Sequence, residues 1–174
     1  MESRIEACFE VVPQAVEVVH ETPKDEIDWK SPTDPVSKAD KASRDFVVTA
    51  LRARFPDDEI ICEDAPKYPG GSGYTWVCDP LDGTLNDIRG GAPWAVSLAL
   101  MRGQEVIAGC VGEGRSRDVF KAVVGGGARR NDLRLQVSKL AILKRSLVGF
   151  DCPYDEDPRN DTTYPALREP LHRY

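Results

Sequence analysis

The sequence WVCDPLDGTLND, residues 76–87, runs from an apolar stretch into a proline, two acids and a glycine. Trp76-Val77-Cys78 reads as a buried strand, and Asp79-Pro80 ends it. Asp82 follows three residues after Asp79, and Gly83 and Thr84 come next. Two carboxylates crowded into one tight turn repel each other unless something positive sits between them. Upstream, EIICED (59–64) is another short apolar run ending in acids. With YTWVCD (74–79) it predicts two strands that each deliver carboxylates at the end. If the strands are neighbours, Glu63 and Asp79 emerge at one rim, and the turn adds Asp82.

Outward from this pair the period changes. Ile5, Cys8, Phe9, Val12, Val16 and Val19 predict a helix over 3–20, with Pro13 expected to kink it or delay its start. Residues 21–35 are polar and proline-bearing and read as a loop. A second helix is expected from about Ser37 to Phe55. Phe46, Val47, Ala50 and Leu51 form its apolar face, and Ser37-x-x-Asp40 forms a capping box at its start. Residues 65–73 read as a flexible loop. Further strands are predicted at 94–101, 105–113, 118–124, 133–137 and 146–151, with a hairpin-like turn at 102–104. Gly125–Gly127 resembles a phosphate loop, but no G-K-[ST] follows, so it reads as a turn. Helices first and consecutive strands after them define the class as α+β, two N-terminal helices on a largely antiparallel sheet. Residues 151–174 read as a proline-rich linker and the start of another helix near Thr163. The expected organisation is one α+β domain over 1–150, then a linker and a truncated second domain over 151–174.

Composition narrows the function classes. The chain has 174 residues, 41% hydrophobic and 30% charged, which suits a globular domain with a real core. A net charge of −6 argues against a general nucleic-acid binder. No apolar run reaches the length of about 20 residues that a membrane span needs. The N-terminus lacks the layout of a signal peptide, so a cytoplasmic location is expected. The five cysteines, Cys8, Cys62, Cys78, Cys110 and Cys152, are widely spaced without C-x-x-C, which argues against zinc and a disulfide framework. Cys62, Cys78 and Cys110 lie in apolar runs and read as small buried hydrophobes.

Four acids carry the candidate chemistry: Asp40, Glu63, Asp79 and Asp82. Hard oxygen donors with no His or Cys beside them as ligands select Mg²⁺, Mn²⁺ or Ca²⁺. Two such ions suit a phosphoryl group, with Asp79 placed to bridge them. The Gly83 and Thr84 amides are placed to meet a phosphate, and the Thr84 hydroxyl to pass a proton to Asp40. Each residue also has a plainer reading. Asp40 alone is a helix cap; Glu63 and Asp64 are solvated strand ends; Asp79-Pro80 and Asp82-Gly83 are turn chemistry. Asn86 and Asp87 shape the turn, Trp76 and Trp94 belong to the core, and Lys30 faces solvent rather than phosphate. His20 and His172 receive no role.

The DPLDGT segment as a whole resembles the inositol monophosphatase family, Mg²⁺-dependent and typically lithium-sensitive phosphatases. WVCDPLDGTLN (76–86) is similar to W-x-x-D-P-[IL]-D-G-T-x-N. DPVSKADKASRDFV (34–47) resembles the family's D-x-V-T-x-x-D segment. FPDDEIICED (55–64) resembles the segment ending G-E-E, with Cys62 for the glycine and Asp64 for the second glutamate. PWAVSLAL (93–100) and GGGARRNDLRLQVS (125–138) are similar to the following strand and the G-x-G-A-x-x-N segment. The resemblance implies that Glu63, Asp79 and the Leu81 carbonyl hold a first Mg²⁺, and that Asp79 and Asp82 hold a second. Glu63 would also help hold a weaker third. It implies that Asp40 and Thr84 activate the attacking water, and that Asp82, Gly83 and Thr84 meet the phosphate. The implied fold is the first domain of the family's αβαβα architecture.

The family's W-D-x-A-A-G motif, whose Asp completes the second metal site, is not found in the 174 residues. Asp87 stands where many relatives carry an aromatic. Weak or absent catalysis and self-association through an open apolar face are therefore expected of this polypeptide. The implied substrate is a small sugar- or polyol-like phosphate monoester; histidinol phosphate, fructose bisphosphate and adenosine bisphosphate are the alternatives. Lithium inhibition and a homodimer are implied too. A haloacid-dehalogenase-type phosphatase has its acids two apart rather than three. A calcium loop needs acids at alternate positions and a closing glutamate. A non-catalytic metal-binding or dimerisation module is the reading from another class.

Overall fold

Ala7, Cys8, Val11, Val12, Ala15, Val16 and Val19 recur at helical spacing, and all are buried along α1 (Glu2–Glu21). In the computed structural model, which describes residues 1–31, 34–91 and 93–147, this helix runs through Pro13 without a late start. Burial of Val12 and Val16 on either side offsets the hydrogen bond that proline cannot make. Helix α2 (Lys38–Arg54) begins at Ser37 with the expected capping box: the Ser37 amide donates to Asp40 Oδ2 at 2.8 Å. Its buried face is Ala39, Ser43, Val47, Val48 and Leu51, while Phe46 and Ala50 are only partly buried.

The strands form a seven-stranded sheet in the order β3-β4-β5-β6-β7-β8-β9. The elements are β3 (Glu59–Cys62), β4 (Tyr74–Asp82), β5 (Ala95–Arg102), β6 (Glu105–Glu113), β7 (Val119–Val123), β8 (Gly127–Arg130) and β9 (Leu133–Arg134). Only β3 and β4 pair in parallel; every other neighbour is antiparallel. The class is α+β with a largely antiparallel sheet, as the element order predicts. Period-two alternation divides the sheet into faces. Trp76, Cys78, Val96, Leu98, Leu100, Ala108 and Cys110 are buried with α1 and α2 in one core. The alternate residues Val77 and Val111 stay 37% and 39% exposed. With Ala99, Phe120 and Leu135 they line a shallow apolar depression of about 480 Å³.

Several expectations change. Residues 21–35, read as a loop, contain most of a two-stranded hairpin, β1 (Ile27–Ser31) with β2 (Asp34–Ser37). Its prolines and polar residues conceal it, because a separate edge ribbon tolerates both. Residues 65–73, read as flexible, are pinned at both ends. Ile60 and Tyr68 exchange backbone hydrogen bonds of 2.9 and 3.0 Å, and the Gly71 and Ser72 amides donate to the Asp57 carbonyl. Strand β8 went unpredicted because Gly-Ala-Arg-Arg lacks apolar alternation, and β9 is shorter than the predicted 133–137. Of the strand expected at 146–151, Ser146 and Leu147 are described and are not extended into the sheet. The remainder of that strand, the linker, the helix near Thr163, Cys152 and His172 lie outside the described residues. Among the described residues no helix is long and apolar enough to cross a membrane.

A polar knot joins α1 to the β3–β4 crossover. Asp58 is buried and accepts both guanidinium nitrogens of Arg4 at 2.7 and 2.8 Å, the Ser72 hydroxyl at 2.6 Å and the Trp76 indole at 3.0 Å. Burial alone would raise its carboxyl, but the hydrogen bonds from Arg4, Ser72 and Trp76 outweigh it and hold the group below the ordinary range. Four donors on one buried carboxylate fix how the helix meets the strands. Asp58→Asn should lower the unfolding free energy in urea at pH 7 by about 2–4 kcal/mol. A carboxyl held low stabilises above its unfolded pKa of about 3.9 and loses that contribution as pH falls through the folded value. The gap between wild type and variant should therefore shrink between pH 5 and pH 3, on the order of a titration of one such carboxyl. An equal deficit at both pH values would contradict this.

Candidate active site

The parallel pairing of β3 with β4 decides where the acids go. Cys62 lies beside Cys78, so the next residues, Glu63 and Asp79, stand side by side at the rim; Asp79-Pro80, expected to end the strand, lies within β4, which runs on to Asp82. The Glu63 amide still donates to the Cys78 carbonyl at 3.1 Å, which carries the pairing to the rim. Beyond Asp79 the β4–β5 register shifts: Asp79 faces Ser97 and Asp82 faces Ala95. The extra residue makes a bulge that re-aims the chain. Leu81 anchors this turn with a side chain only 3% exposed. Ser43 of α2 donates to the Pro80 carbonyl at 2.8 Å and ties the helix to the same turn.

Gly83 then takes a left-handed conformation, φ +82°, at the start of α3 (Thr84–Ile88). A Cβ there would stand 2.9 Å from the Pro93 carbonyl oxygen and 3.2 Å from Trp94 Cα. Only glycine meets both demands. The turn brings the Thr84 hydroxyl 2.8 Å from Asp40 Oδ1 and 3.1 Å from the Leu81 carbonyl oxygen. The charged carboxylate is the stronger acceptor for the single hydroxyl proton. The other Asp40 oxygen accepts the Ser37 amide and the Ser37 hydroxyl, at 2.8 and 2.6 Å. Asp40 is thus both the helix cap and the partner of Thr84.

Asp40, Glu63, Asp79, Leu81, Asp82, Gly83 and Thr84 all line one cleft of about 510 Å³. The acids there do not converge fully. Among the described residues no three His, Cys, Asp or Glu side chains stand together as a metal-binding group. Glu63 is paired instead with Lys30, at 3.3 Å, and Lys30 also pairs with Asp64. Lys30, expected to face solvent, lines the cleft from β1 and holds its outer acids. Asp64 has φ +55°, a conformation that Asp tolerates, and this turns the chain after Glu63. Burial first, and then the neighbouring charges of Glu63 and Asp82, push the Asp79 carboxyl up to about 7. A half-buried acid raised by desolvation and by like charges is a place where positive charge is needed.

The turn residues behave as read. Asn86 donates to the Pro93 carbonyl at 2.6 Å. Asp87 is buried and paired with Lys24, and its second oxygen has no partner among the described residues. Trp76 and Trp94 are buried, and Gly125 and Gly126 lie in the turn between β7 and β8, which Gly127 opens. His20, which received no role, bonds the Gly114 carbonyl at 2.7 Å and packs on Trp94. Three contributors to the cleft escaped the sequence reading: Lys30, Ser43 and the Ser37 hydroxyl. The capping box was the one visible signal for Ser37. Lys30 and Ser43 need the hairpin and the helix–turn packing to acquire their roles.

Two helices on one face of a mixed sheet, with a D-G-T turn at the end of its parallel pair, are the arrangement of a class of phosphatases. The chain belongs to the inositol monophosphatase family, whose model matches residues 2–170. It is 28% identical over 162 residues to an inositol monophosphatase of Dictyostelium discoideum, covering 91% of this chain and 59% of that protein. It is 38% identical over 121 residues to the Nus factor SuhB of Pasteurella multocida, covering 69% of this chain and 44% of that protein. The SuhB structure from Bartonella henselae superposes with a TM-score of 0.75 at 27% identity, over 79% of this chain and 55% of that one. The chain therefore spans about half the length of the relatives it matches. The family is generally metal-dependent, and many of its members are named as phosphatases.

Two outcomes follow from the geometry. A carboxyl raised by folding stabilises below its unfolded pKa, and that contribution is lost as pH rises through the folded value. In EDTA, wild-type stability in urea should decline relative to Asp79→Asn as pH rises from about 4 to about 7. Parallel profiles would contradict the raised Asp79. Gly83→Ala should cost about 1–3 kcal/mol in the same assay, because it strains the turn and meets Pro93.

Proposed function

We propose that this chain supplies the metal-binding and water-activating side of a phosphatase acting on a small sugar- or polyol-like phosphate monoester. The observation that carries the reading is the Thr84–Asp40 hydrogen bond beside a carboxylate raised by burial and by its acidic neighbours. The donor set fits a hard divalent cation: carboxylates of Glu63, Asp79 and Asp82 and the Leu81 carbonyl, with no nitrogen or sulfur ligand. Glu63, Asp79 and the Leu81 carbonyl would hold a first Mg²⁺, Asp79 and Asp82 a second, and Glu63 a weaker third. Mn²⁺ suits the same ligands, and Li⁺ would inhibit by competing for them. Divalent cations bound there would offset the carboxylate charge and polarise the phosphoryl group.

The chain's own residues do the rest. Thr84 gives its proton to Asp40 and accepts one from the attacking water, and Ser37 keeps the Asp40 carboxylate aimed. Gly83 lets the main chain come close enough for its amide and that of Thr84 to meet the phosphate. Lys30, paired with Glu63, would yield that carboxylate to a bound cation.

Among the relatives, the names inositol monophosphatase, fructose-1,6-bisphosphatase and histidinol-phosphatase describe small phosphate esters. These support the substrate class. The relatives named Nus factor support a second reading, a binding role in a transcription complex. A net charge of −6 favours protein rather than nucleic acid as the contact there. A cytoplasmic homodimer is part of the first reading, with the apolar sheet face covered in the assembly.

The test is Mg²⁺-dependent phosphate release from inositol 1-phosphate. Turnover should be slow, need the cation, vanish with Asp82→Asn and fall about 100-fold with Thr84→Val. Release that ignores Mg²⁺ or survives Asp82→Asn would contradict the phosphatase reading. A chain that neither responds to Mg²⁺ nor releases phosphate would favour the binding role.

A further inference from the structure

Cys62 and Cys78 stand at partnered positions on the parallel strands β3 and β4, one residue before Glu63 and Asp79. Both are free and buried. They point to the same face because partnered residues of a parallel pair share a face. Neighbouring strands lie roughly 4.8 Å apart, inside the Cα separation of about 4.4–6.8 Å that a disulfide spans. Among the described residues β3 is the outer strand of the sheet, beside β4 and tied on its other side only through Ile60 to Tyr68, and Cys62 is its last residue. A small oxidant therefore reaches the pair by fraying of one strand end rather than by global unfolding.

We propose that Cys62 and Cys78 form an oxidisable dithiol, a modification site that closes to a disulfide under peroxide. One thiol sulfur attacks a peroxide oxygen, the O–O bond breaks, and water leaves as a sulfenic acid forms. The second thiol then attacks that sulfur, the S–O bond breaks, and a second water leaves. Two thiols and one hydrogen peroxide thus become one disulfide and two waters, with sulfur oxidised and peroxide oxygen reduced.

Closure draws the two Cβ atoms toward the separation of about 3.8 Å typical of a disulfide. Glu63 and Asp79 are the next residues on the same strands, so the bond acts on the backbone that spaces their carboxylates. A bridge at the end of an outer strand is open to a thiolate through the same local fraying, so ordinary thiols reverse the modification. The bond itself depends only on the strand register; the influence on cation binding rests on the proposed metal site.

The test uses the full chain under native conditions, treated with hydrogen peroxide and read by mass spectrometry. The expected result is loss of two hydrogens in the intact mass and a peptide linking Cys62 to Cys78. Both should reverse with glutathione and be absent in Cys78→Ala and Cys62→Ala. Circular dichroism of the two variants establishes that they are folded. Three outcomes would overturn the proposal: thiols that stay reduced, oxygen added at Cys62 or Cys78 without a bridge, or bridges confined to Cys8, Cys110 or Cys152. Each is read without a metal or substrate, so a failure of the phosphatase reading leaves the result intact.

Discussion

Repulsion among Glu63, Asp79 and Asp82 is the constraint around which this cleft is organised. A parallel strand pair delivers the first two side by side, and a bulge delivers the third. Such charges are costly together in a partly buried place, and the protein lowers the cost in two ways. Lys30 neutralises the outermost acid, and Asp79 rises to about 7. Both are costs that a cation in the cleft would remove. The arrangement is therefore poised for positive charge rather than relaxed without it.

Precision at the cleft comes from groups that serve two structures at once. Asp40 caps α2 through one oxygen and holds Thr84 through the other. Ser43 lies on the buried face of α2 and also fastens the Pro80 carbonyl. Leu81 plugs the core with its side chain while its carbonyl stays at the cleft. Asp58, farther away, fixes α1 against the crossover that sets the β3–β4 register. A functional geometry built on packed elements in this way has little freedom to drift.

How far the sequence reveals all this depends on the range of each interaction. The D-G-T turn is legible because its acids, glycine and threonine lie within six residues and act through local backbone chemistry. The helices are legible through apolar spacing, and Asp40 through its capping box. Lys30 is not legible, because its contact with Glu63 needs a hairpin whose prolines suppress the usual strand pattern. Asp58 sits in a run of three acids, Asp57-Asp58-Glu59, that looks like an ordinary solvated turn. Its burial depends on Arg4, fifty-four residues away. The register that sets Cys62 beside Cys78 is likewise a property of the pairing and not of either strand.

If the crowded carboxylates are a cation site, calorimetric titration of the metal-free chain with Mg²⁺ at pH 7.5 will separate it from Asp79→Asn. The wild type should bind Mg²⁺ saturably with release of protons, in line with the value of about 7 for Asp79, and the variant should lose both signals. Equal heats for the two proteins, with no proton release, would contradict a cation site there.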